Sequence, residues 1–151
     1  MTTEKLTLNA IASAHDALVS ISSETEISLD MQYKITDLIE AIEKNAQRFY
    51  DSKNKLLAEY GTLMPGTQRY NLDPERVEEY HKKLANIGTM KFEVMFVPLD
   101  FKALVKEDIK LKGPQLIPLK KHFIKREEQK AKDNGEAKSK TPDKKSNQKS
   151  N

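Results

Sequence analysis

Three histidines, His15, His81 and His122, are the first places to look for acid–base or metal chemistry, because imidazole titrates near neutrality and ligates transition metals. They fall on three separate segments, and none has a second ligand at the helical spacing that puts two imidazoles on one face. Glu78 and Glu79 precede His81 closely, but this is not a His-Glu-x-x-His arrangement. Each histidine therefore reads as an ordinary surface or boundary residue. Carboxylates such as Glu40 and Glu43, or Glu78 and Glu79, have the types needed for an acid and a base. Their spacing instead puts them on solvated helix faces, where Glu40 supports Lys44 one turn on. The five glycines are isolated, so there is neither a phosphate-cradling loop nor a nucleophile elbow. The absence of cysteine removes disulfides, thiolate nucleophiles and the common structural zinc sites together. No catalytic residue, metal or cofactor is expected, and the chain reads as a non-enzyme.

The charge is unevenly placed. A formal net charge of +3 is made of nine basic and five acidic residues from Lys125 to Asn151, against a slight negative balance before them. Lys138, Lys140, Lys144, Lys145 and Lys149 are the candidate polyanion contacts, since each lysine near a phosphate can release a counterion. Interspersed acids and the lack of aromatics for base stacking favour a disordered, solubilising or interaction tail over residues 127–151. No apolar run approaches the 18 or so residues of a membrane span, and Met1 to Leu6 lacks the basic-then-apolar order of a signal peptide. A soluble, cytoplasmic chain with no membrane partner is expected.

What must carry any function is the body, residues 1–126, which reads as a single α+β domain. Its strongest feature is the stretch Asp30 to Tyr60, free of proline and glycine, in which Ile35, Ile39, Ile42, Ala46, Phe49, Leu56 and Tyr60 recur at helical spacing. That predicts a helix roughly 46 Å long, capped by Ser28 or Asp30 and stopped by a left-handed Gly61. A shorter helix from Asn9 to Ile21 precedes it, with Asn9 as its cap, and Leu6 and Leu8 alternate as in a brief strand. A loop with a Pro65-Gly66 turn leads to a second helix, Asp73 to Ile87, expected to lie antiparallel to the long one.

After Gly88 the period changes to two. Met90, Phe92, Val94 and Phe96 alternate with Lys91, Glu93, Met95 and Val97, a strand with one strongly apolar face and a second face that is partly apolar. A further strand or turn is expected at Ile109 to Leu111, and a short helix after Gly113-Pro114 with Pro118 early in it. The fold is thus read as a long antiparallel helical hairpin with a small sheet and a short C-terminal helix. Ile35, Ile39, Ile42, Phe49, Phe92, Val94, Met95, Phe96 and Val97 are the candidate interface, because the second helix leaves half of the long helix to be covered by the first helix, the sheet or another subunit, and a strand apolar on both faces is either central to a small sheet or part of a subunit contact.

The order of these features resembles a family. Tyr33-Lys34-Ile35 opening the long helix, Phe49-Tyr50, Lys55-Leu56-Leu57-Ala58-Glu59-Tyr60-Gly61 at its end, Phe92-Glu93-Val94 to Pro98-Leu99, and Leu116-Ile117-Pro118-Leu119 with Phe123-Ile124 are similar to the uncharacterised phage proteins grouped as domain of unknown function 1617. The likeness covers roughly Leu6 to Ile124. It implies a tailed-bacteriophage or prophage origin and brings no activity, cofactor or catalytic residue with it. The leading expectation is a non-enzymatic protein of particle structure or assembly, head or tail, contacting other phage structural proteins or a second copy of itself. Its expected location is the host cell cytoplasm or the virion. The alternatives are a small effector that binds a host protein and an accessory nucleic-acid binder using the basic tail.

Overall fold

Where no proline or glycine interrupts the apolar stripe, the chain forms one helix of 32 residues, α2 (Leu29–Tyr60). A computed structural model gives this architecture and describes residues 1–24 and 26–126; the expected tail disorder lies outside the described residues. Ser28 is the cap, its Oγ accepting from the Met31 amide at 3.2 Å. Asp30 serves the first turn instead, where it pairs with Lys34 at 3.0 Å.

The chain begins with strand β1 (Thr2–Thr7), which runs directly into α1 (Leu8–Glu24). Thr7, not Asn9, caps α1, its Oγ1 accepting from the Ala10 amide at 3.1 Å. Ile11, Ala14, Leu18 and Ile21 form the expected stripe, and Ala12 and Ala17 widen it with small side chains. This face lies against Met31, Ile35, Leu38, Ile42 and Ala46 of α2 in one continuous core. The pair is antiparallel: Gln32 near the start of α2 donates to Ser22 late in α1, while Tyr50 further along reaches back to Ala12.

Beyond α2 the expected loop is ordered as a two-stranded ribbon, β2 (Gly61–Leu63) with β3 (Tyr70–Leu72), turned at Gly66 with φ +73°. A short 3₁₀ turn (Pro74–Arg76) then opens α3 (Val77–Gly88), which returns along the far half of α2 over a second small core of Leu56, Tyr60 and Tyr80. The long helix thus has two partners in series. The helix expected to pair with it covers its C-terminal half, and α1 covers the half that sequence left open.

Gly61 departs from expectation. Its φ of −126° and ψ of 174° are extended, so the helix ends by passing straight into a strand. Glycine is required there by space, because a Cβ would stand 2.6 Å from the Asn71 carbonyl oxygen and 2.7 Å from that of Leu57. Both obstacles are backbone. Gly61→Ala should lower the unfolding free energy by about 2 kcal/mol, read as a reduced midpoint in thermal denaturation. An unchanged midpoint would show that the ribbon moves aside without cost.

Strand β4 (Lys91–Phe96) forms where the period-2 pattern predicts it and pairs antiparallel with β1, from Thr2 opposite Phe96 to Thr7 opposite Lys91. Leu6, Phe92, Val94 and Phe96 share the inner face, so the apolar strand is the inner wall of a two-stranded sheet. The C-terminal segment is more structured than expected. A two-residue strand, β5 (Leu99–Asp100), pairs in parallel with β6 (Ile124–Lys125), and α4 (Phe101–Lys106) follows β5, capped by Asp100. No strand forms at Ile109 to Leu111. Helix α5 (Gly113–Lys120) has Pro118 well inside it, not in its first turn. Gln115 anchors α5 to α1 by donating to Ser20 Oγ at 3.0 Å.

Candidate functional site

The nine residues expected at an interface divide sharply. Ile35 and Ile42 are fully buried, and Val94 and Phe96 are 2% exposed, all within the chain's own core. Ile39, Phe49 and Phe92 are half-buried against that core, and the Arg48 guanidinium covers the Phe92 ring at 5.1 Å. Met95 and Val97 are the two that face outward, 61% and 59% exposed. The apolar stripe of α2 is therefore internal packing, because α1 occupies the position that a second subunit would otherwise need.

The histidines do not converge. His15, on α1, stands edge-on to Tyr50 of α2 at 6.0 Å, with its Nε2 buried and lacking a hydrogen-bond partner. Tyr50 also donates to Asp16, and its phenol is pushed well above the usual range first by burial and then by that carboxylate. His122 Nδ1 is 3.2 Å from Glu4 Oε2, and His81 stands beside Tyr80. Among the described residues no group of three or more His, Cys, Asp or Glu is placed to hold a metal ion. Nor, among them, is any helix long and apolar enough to cross a membrane.

Two surfaces stand out instead. The first is the β2–β3 ribbon, where Leu63 and Tyr70 are cross-strand partners and, with Met64, leave an apolar cluster 36 to 50% exposed. Its stem is tightly held. Tyr60, 1% exposed at the base, donates to Glu79 at 3.0 Å, and the Arg76 guanidinium stacks on its ring at 4.2 Å. Arg76 also donates to the Glu59 carbonyl at 2.8 Å, and Thr62 to Asp73 at 2.8 Å. A fixed base therefore presents an apolar tip.

The second surface is a groove of about 550 Å³ between the N-terminus of α1, the outer face of the β1–β4 sheet and α5, lined by Lys5, Thr7, Ser13, Lys91, Lys121 and His122 among others. An adjoining depression of about 570 Å³ shares Ile117 and Lys121 with it and adds Lys120 and Arg126. Neither lining contains a carboxylate. Comparison with family models, with curated proteins and with solved structures finds no match. The surfaces must be interpreted from their own chemistry.

Sequence reasoning missed both for identifiable reasons. The ribbon strands are three residues each, below the length at which alternation is a signal. The groove's lysines, Lys5, Lys91, Lys120 and Lys121, are scattered along the sequence, so no local window brings them together and only the fold does.

Proposed function

We propose that this chain is a non-enzymatic component or assembly factor of a tailed-bacteriophage particle, working through protein–protein contacts in the host cytoplasm or the virion. The phage setting rests on the ordered resemblance from the long helix to Phe123-Ile124. The observation that carries the contact reading is the ribbon tip, where Leu63, Met64 and Tyr70 stand exposed on a stem that Tyr60 and Arg76 hold rigid. A rigid apolar projection loses little entropy on docking and suits an apolar recess on another particle protein or a second copy of this chain.

A photo-crosslinking residue in place of Leu63, introduced in the producing cell, tests this. The expected adduct joins the chain to a particle protein or to itself, and mass spectrometry of purified particles should find the chain at fixed copy number. Absence from particles, with an adduct only to a host protein, would replace this reading by that of an effector.

A further inference from the structure

We propose that the lysine groove between the sheet and α5 is a binding site for the sugar-phosphate backbone of double-stranded nucleic acid. Its lysines come from three elements. Lys5 on β1 and Lys91 on β4 lie on the same outer sheet face, because Thr7 opposes Lys91 and Lys5 is two residues from Thr7. Lys121 follows α5 directly, and Lys120 carries the positive charge into the adjoining depression. Glu93 stands across the ladder from Lys5 but does not line the groove.

The position of α5 is set by the fold, not by the lysines. Gln115 ties it to Ser20 of α1, and His122 meets Glu4 of β1 at 3.2 Å. The positive charges are therefore held apart at fixed places before any ligand arrives. Thr7, Asn9 and Ser13 add short polar side chains to the same wall, and the first turn of α1 contributes the positive end of its dipole.

Two features favour a nucleic-acid duplex over an acidic polypeptide. The charges run along two adjoining grooves, which suits a ligand with regularly repeated anions and not one with a single acidic knob. Arg126 lines the second groove, and the sequence runs on from it through seven further lysines. No aromatic other than His122 lines either groove, so stacking of unpaired bases is not part of the design and the duplex backbone is what fits.

The test is fluorescence anisotropy of the full chain with a labelled 20-base-pair DNA duplex across a salt series. The triple variant Lys5→Gln, Lys91→Gln, Lys121→Gln should bind at least tenfold more weakly, with the slope of log affinity against log salt reduced by about 2 to 3, at 0.9 per phosphate contact. Circular dichroism checks that it is folded, and Lys121→Arg should retain binding. The full chain with Lys138→Gln, Lys140→Gln and Lys144→Gln separates the tail from the groove. The proposal is overturned if the groove variant binds like the wild type, if the wild type does not bind the duplex at low salt, or if polyglutamate displaces the duplex as well as unlabelled DNA of equal charge does.

Discussion

Ile42→Asp should leave no cooperatively folded chain. Ile42 is fully buried in the seam between α1 and α2, so the substitution removes a large apolar side chain and puts an unpaired carboxylate in its place. The combined loss is about 5 kcal/mol or more, comparable to the whole stability of many domains. Far-UV circular dichroism should show lost helicity with no cooperative thermal transition. The milder Ile42→Val should cost about 1 kcal/mol, with a midpoint independent of protein concentration. That independence is the informative part. If α2 were instead buried against a second subunit, Ile42→Asp would yield a folded monomer and the Ile42→Val midpoint would fall on dilution.

The second large effect is expected at Phe123. Its ring is fully buried with its centre 4.9 Å from that of Phe96, and its carbonyl accepts from the Leu99 amide at 2.8 Å. Phe123→Ala keeps the backbone bond but opens a cavity where the C-terminal segment meets the sheet, at a cost of about 3 to 5 kcal/mol. Calorimetry should record a fall in melting temperature of roughly 10 °C or more. Phe123→Leu, which refills most of the space, should recover much of that. Equal melting of the alanine variant and the wild type would mean that residues after Pro98 are not part of the cooperative unit.

These two residues also mark how far sequence reasoning reaches. The long helix, its Ser28 cap, the period-2 strand and the turn at Gly66 are local, and local patterns name them. Ile42 is on the predicted stripe, yet the pattern says only that its face is covered, never by what. Whether α1 or another chain covers it depends on how the chain enters α2, and there Glu107, distant in sequence, holds Ser28. Its carboxylate accepts from the Ser28 amide at 2.9 Å, and that bond holds its pKa below the ordinary carboxylate value. Phe123 shows the opposite limit. It sits in a stretch where β5, β6 and α4 are two to six residues long, too short for periodicity, and their order comes from a parallel pairing of Leu99 with Ile124. The Gly61 reading failed because glycine after a helix commonly relieves a dihedral, whereas here it clears room for a neighbouring carbonyl. Of the candidate interface, only Met95 and Val97 kept the exposure that the term requires.

The pairing of β1 with β4 has a bearing on how the protein is made. Thr2 to Thr7 leave the ribosome well before their strand partner, Lys91 to Phe96, which is roughly 90 residues behind. At translation rates of about 5 to 20 residues per second, β1 waits some 5 to 18 s, with α1 and α2 free to zip together meanwhile. The β5–β6 pair closes only after Ile124 and Lys125 emerge. The helical hairpin is therefore a vectorial nucleus, and the lysine groove, which needs β1, β4 and α5 together, is among the last features to exist on the nascent chain.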